Sequence, residues 1–137
     1  MSSEQAASAG TAPLPDPPPG GDRETWAFTG HAAVWDHVDR AGDVFRRGAF
    51  GEDRWVPLLA GHAAAVGAAL VSEDARGLFV RGSASVPVRV GDGLSVGFRA
   101  RVVRQGAWRE LLVADLVEVS LVGQPMQPLA RVTSVEI

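Results

Sequence analysis

The strongest constraint on how this chain can fold is a repeat of two. From Thr25 onward apolar residues recur at every second position and not at every third or fourth, and a chain with that period forms strands that each bury one face. Trp26, Phe28, Ala32 and Val34 alternate with Ala27, Thr29, His31 and Ala33. Leu78, Val80, Gly82, Ala84, Val86, Val88 and Val90 alternate with Phe79, Arg81, Ser83, Ser85, Pro87 and Arg89. Leu94, Val96, Phe98, Ala100 and Val102 alternate with Ser95, Gly97, Arg99 and Arg101, which sets the serine and both arginines on one face. Residues 108–122 are apolar on both faces, the pattern of a central strand or a strand pair. Turn chemistry separates these runs at Asp39-Arg40-Ala41-Gly42-Asp43, at residues 72–77, at Gly91-Asp92-Gly93 and at Gln105-Gly106. Two shorter apolar segments, residues 55–59 and 66–71, flank Gly61-His62. The expected fold is mainly β, a small antiparallel β barrel with few short helices, one of them beginning within residues 46–50. Residues 81–93 read as a direct hairpin into the Ser95 strand, with Pro87 marking an edge or a bend.

One domain suffices for 137 residues. It is expected to occupy residues 25–137, because residues 1–24 are mostly Ser, Ala, Gly, Pro and acid and cannot bury enough apolar surface to offset ordering. That stretch reads as a disordered tail, with a removable pro-segment or a tether as the functional alternative. A net charge of −3 argues against a nucleic-acid partner, which would leave a clustered basic footprint. All 13 basic residues are arginine, a bias better explained by a GC-rich coding sequence than by chemistry. With no cysteine, disulfides, thiolate metal sites and a sulfur nucleophile are excluded. The first residues lack the positive start and apolar run of a secretory signal, and no stretch approaches the ~18 apolar residues of a membrane span. A cytoplasmic protein without a membrane partner is the expectation.

Several stretches, in this order, resemble the prohead maturation proteases of tailed phages, and are nearest to the gene transfer agent branch. Val34-Trp35-Asp36-His37-Val38-Asp39-Arg40-Ala41-Gly42-Asp43 and Arg47-Gly48-Ala49-Phe50 are similar to that family's opening signature. Pro57-Leu58-Leu59 leads to His62, followed by Val66-Gly67 and Glu73-Asp74-Ala75-Arg76-Gly77-Leu78. The most specific pieces are Gly93-Leu94-Ser95-Val96-Gly97-Phe98 and Asp115-Leu116-Val117-Glu118-Val119-Ser120-Leu121-Val122, with Gln124-Pro125-Met126 and Ala130-Arg131-Val132 completing a likeness from about residue 28 onward. The resemblance implies a barrel of the herpesvirus-protease type. It further implies a serine endopeptidase, without cofactor, that trims the major capsid protein and its scaffold region inside an immature shell in the host cell, as a homodimer or higher assembly.

Peptide hydrolysis by serine needs a hydroxyl, a base, a group that orients the base, and donors for the oxyanion. On the resemblance, Ser95 is the nucleophile and His62 the base. Small neighbours, Gly61 and residues 63–65, leave room for a substrate backbone beside His62, and imidazole exchanges its proton nearest neutrality. From the residues alone, a structural histidine and an exposed strand serine fit as well. For the third member Glu118 is preferred, since it interrupts an apolar strand where an unpaired carboxylate is costly. Asp115 is its competitor, and an ordinary ion pair with arginine the alternative use of Glu118. Arg99 and Arg101, on the Ser95 face, are candidates for supporting the oxyanion. His31 and His37 with Asp36, Asp39 and Asp43 invite a metal reading, but no metal-ligand spacing connects them, so turn capping accounts for them better and no metal is expected.

The chain departs from its relatives in three places. Only residues 81–93 are available where they usually carry a helical segment before the serine strand. Ala60-Gly61-His62-Ala63 replaces an aromatic before the histidine and an acid after it, and Gln124-Pro125-Met126 replaces a Pro-Ala-Asn ending. These departures sustain a second reading, an inactive or weakened protease fold that serves as a capsid assembly partner.

Overall fold

The computed structural model describes residues 25–136; the expected tail at residues 1–24 lies outside them. Alternation becomes eight strands: β1 (Trp26–Val34), β2 (Asp43–Phe45), β3 (Arg54–Ala60), β4 (Ala64–Glu73), β5 (Gly77–Ala84), β6 (Gly93–Gln105), β7 (Arg109–Val122) and β8 (Val132–Glu136). They form one sheet in the order β2-β7-β3-β4-β5-β1-β8, with β6 paired to β7. β7 is the hub. β6 runs antiparallel along its whole length on one edge, while β2 and β3 share the other edge, opposite Arg109 to Leu111 and Val119 to Leu121 respectively. Both of those pairings are parallel, so the antiparallel expectation holds for every other pairing, β6 on β7 included, but not for β2 and β3 on β7. The sheet curls until the chain entering β8 meets the start of β6, through a bridge between Gly93 and Arg131 and a bond from the Leu94 N–H to the Ala130 carbonyl.

The inner face of this curl is the core, in which Phe28, Leu58, Leu78, Val80, Leu94, Leu111, Val119 and Val132 are almost fully buried. Each such side chain contributes about 1.5–3 kcal/mol relative to an exposed one. One end is filled by a chain of aromatic contacts, Trp35 to Phe50, Phe50 to Phe45 and Phe45 to Phe98.

No helix occurs among the described residues, which corrects the expectation of a few short ones. Residues 46–50 form a turn, because Gly48 and Gly51 take positive φ and the Glu73 carboxylate accepts the N–H groups of Gly48, Phe50 and Gly51, the last two of which a helix begun at Arg46 would have used internally. Residues 81–93 are not a direct hairpin either. β5 ends at Ala84 and pairs with β1 and β4, while β6 pairs with β7, so the segment crosses from one part of the curl to another. Val88 plugs the core on the way, and Arg89 turns back to Asp92. Beyond Phe98 the β6–β7 hairpin projects with both faces of β6 exposed, so Ala100 and Val102 lie in solvent despite their alternation. No helix among the described residues is long and apolar enough to cross a membrane.

Candidate active site

His62 sits at the tip of the β3–β4 hairpin. Gly61 and His62 both have φ of 60°, and the Ala63 N–H donates to the Ala60 carbonyl to close the turn. Two consecutive positive φ values are what tight hairpins with right-handed twist require, and glycine supplies the first without cost. Histidine supplies the second at a cost of order 1–2 kcal/mol. The tip is pinned to β7: the Gly61 N–H donates to the Leu121 carbonyl, and the His62 N–H donates to Ser120 Oγ at 3.0 Å.

The ring of His62 meets Glu118, Nδ1 lying 2.6 Å from Oε2. Glu118 is buried. A carboxylate removed from water is costly unless it is paired, and this one has two partners, because the fully buried Ser120 hydroxyl donates to Oε1 at 2.9 Å. An ionised carboxylate only accepts, so facing one Nδ1 donates, and in the neutral ring Nε2 is then the proton acceptor. That is the arrangement in which a carboxylate orients a base.

Ser95 lies on β6 directly across from Ser120. It is only 9% exposed, and its hydroxyl makes no hydrogen bond among the described residues. Ser95 and His62 line one cavity of about 250 Å³, the walls of which include Leu94 and Phe98 and the charged residues Asp39, Asp43 and Arg109. The two side chains share this space without being hydrogen-bonded to each other, as is common for a catalytic pair before substrate closes the site. The geometry can therefore present a hydroxyl and an oriented imidazole to a molecule bound between them.

The other candidates fall elsewhere. Asp115 is half exposed and bonded to Arg101 at 2.8 Å, so of the two acids considered as third member, Glu118 is the one that reaches His62. Arg99 and Arg101 are exposed and do not line the Ser95 cavity. Arg101 sits where β6 itself has an extra residue between Ala100 and Val102, so two-residue spacing from Ser95 no longer fixes its side. The candidate metal set is dispersed into local partnerships: His31 with Asp74, Asp36 with Arg46, Asp43 with Arg109, His37 with the Trp35 carbonyl, and Asp39 with the N–H groups of Ala41 and Asp43.

Ser120 was not singled out from the sequence, although period two places it on the Glu118 face. The space that Gly97 leaves for the Glu118 carboxylate carries no signal in the sequence. Asp39, read as a turn cap, also faces the cavity; burial is the largest influence on it and raises its carboxyl above the usual range, against the lowering effect of the N–H groups of Asp43 and Ala41. No protein-family model matches this chain, and no curated protein matches it.

Proposed function

We propose that this protein is a serine endopeptidase of the prohead-maturation type, with Ser95 as nucleophile, His62 as base and Glu118 as the group that orients it. The observation that carries the proposal is the 2.6 Å contact between His62 Nδ1 and Glu118 Oε2, in a cavity shared with a Ser95 hydroxyl that has no hydrogen-bond partner among the described residues. Ser95 Oγ attacks a peptide carbonyl carbon while Nε2 of His62 takes the hydroxyl proton. The carbonyl electron pair moves onto oxygen, and Glu118 balances the imidazolium that forms. Collapse of the tetrahedral intermediate breaks the C–N bond, and the proton passes from Nε2 to the leaving amine. Water then repeats the sequence on the acyl-enzyme. The substrate class follows from the family resemblance: the major capsid protein with its scaffold region, cut inside the immature shell by a dimer or higher assembly.

A second reading keeps the fold and drops the chemistry, leaving a capsid assembly partner. The missing Ser95 to His62 bond is the observation that favours it. Co-expression with the neighbouring major capsid protein, comparing wild type with Ser95→Ala by intact mass, separates the two. Loss of a defined product in the variant supports the protease. Identical masses with a retained complex support the assembly partner, and no interaction at all removes the capsid assignment.

A further inference from the structure

The Ser95 cavity contains more than the peptide chemistry uses. Its charged lining comprises Asp39, Asp43 and Arg109. Asp43 and Arg109 neutralise each other, since Nε and Nη2 of the arginine donate to the two carboxylate oxygens at 2.7 and 2.9 Å. Asp39 is different. Its Oδ1 accepts the N–H groups of Ala41 and Asp43, its Oδ2 has no hydrogen-bond partner among the described residues, and it feels the charge of Arg109 without a direct ion pair to it. The cavity therefore holds two carboxylates against one arginine, with the hydrogen bonds of that arginine spent on Asp43, alongside apolar surface from Phe45, Leu94 and Phe98. At about 250 Å³ it is smaller than the roughly 300–1,000 Å³ of ordinary small-molecule sites. That volume suits one long side chain. Ser95, buried and with no hydrogen-bond partner for its hydroxyl among the described residues, lines the same space, which is where a scissile bond would lie.

We infer that this cavity is the specificity pocket for the residue preceding the scissile bond, and that it takes lysine or arginine, with the aliphatic stem against Leu94 and Phe98 and the cation against Asp39 Oδ2. The inference rests on the serine-protease reading of Ser95. A basic side chain satisfies both halves of the pocket at once, since its stem covers apolar wall while its head meets the free carboxylate oxygen. The raised proton affinity of Asp39 has burial as its main cause, and an entering cation offsets that desolvation. An acidic substrate residue would be repelled, and a purely apolar one would cover the half-buried Asp39 and leave its Oδ2 without a partner.

The full chain is incubated with a peptide library of mixed sequence, the cleavage sites are read by mass spectrometry, and Ser95 is labelled in parallel with a fluorophosphonate. Cleavage after lysine or arginine is expected. Asp39→Asn keeps Oδ1 and so keeps both backbone caps, and it should lower the ratio of kcat/KM for lysine over leucine peptides roughly tenfold or more. Asp39→Ser, which can also cap the turn, should do the same. Cleavage or labelling at Ser95 without preference for basic residues overturns the pocket assignment and leaves the protease reading standing, as does an unchanged ratio in both variants. Absence of both cleavage and labelling overturns the two together.

Discussion

Gly97 and Glu118 face each other across β6 and β7, and the Glu118 carboxylate occupies the space where a side chain at position 97 would begin. A Cβ on Gly97 would lie 2.1 Å from Oε2 and 2.7 Å from the carboxyl carbon. Glycine is therefore the residue that lets Glu118 fold across the neighbouring strand to His62. Gly97→Ala must move the glutamate, which costs the buried carboxylate its two partners, about 1–3 kcal/mol. On the protease reading kcat falls about 100-fold or more, because the base loses its orientation. Thermal melting together with peptide hydrolysis checks this; unchanged activity in a folded Gly97→Ala protein would show that the His62 to Glu118 contact is not used.

The strained position of His62 gives a second prediction. His62→Gly relieves a positive φ of 60°, worth about 1 kcal/mol, but removes the ring that pairs the buried Glu118. The two effects oppose each other in the native background, whereas in a Glu118→Gln background the ring no longer pairs a carboxylate and the relief outweighs the neutral hydrogen bond that is lost. His62→Gly should then stabilise by up to about 1 kcal/mol, and the double-mutant cycle should return a coupling of about 1–2 kcal/mol. Denaturant titration of the four proteins measures it, and additivity within about 0.5 kcal/mol would mean the pair contributes nothing to the fold.

The hairpin strands were legible because period two is a local property, set by which residues face the core. β5 follows its alternation closely, and β1 follows it as far as Ala32, where a register shift buries Ala33 as well. The parallel pairing of β2 and β3 on β7 was not legible, since it joins segments far apart in sequence with no local signal of register. Residues 46–50 fail as a helix through a carboxylate that arrives from Glu73, and Ala100 and Val102 are exposed because alternation marks faces without saying whether anything covers them. At the site, Glu118 was legible as an acid in an apolar strand. Ser120 was not, because a serine in a strand carries no sign of the hydrogen bonds it will make.

Acid should weaken one end of the molecule in a defined window. Glu110 lies between Arg104 and Arg46, the former donating from Nε and Nη2 and the latter from Nε, and these bonds pull its carboxyl down to about 2 from 4.5. A group with a depressed folded-state value is stabilising above its unfolded value and loses that contribution as pH falls toward the folded one. The loss therefore runs from about pH 4.5 down to about 2. Glu110→Gln should be less stable than wild type at neutral pH, with the gap closing across that window and narrowing in high salt. Parallel melting profiles for the two proteins through the window would show that the arginine pair contributes nothing.

Ser95 and Ser120, opposite one another on β6 and β7, should respond to the same substitution with opposite sign. The Ser120 hydroxyl is fully engaged, donating to Glu118 and accepting from the His62 N–H. Ser120→Ala leaves the buried Glu118 Oε1 and the His62 N–H at the hairpin tip each short of a partner and should cost about 1–3 kcal/mol. The Ser95 hydroxyl is buried without a partner among the described residues, so Ser95→Ala removes a desolvated polar group and should be neutral or stabilising by up to about 1 kcal/mol. Activity separates them differently. Ser95→Ala should abolish hydrolysis and fluorophosphonate labelling, whereas Ser120→Ala should retain labelling at a lower rate, with the loss in kcat and not in KM, as befits a residue that positions the base without touching substrate. If Ser95→Ala destabilises as much as Ser120→Ala, the Ser95 hydroxyl has a structural partner and its assignment as a nucleophile loses its main physical support.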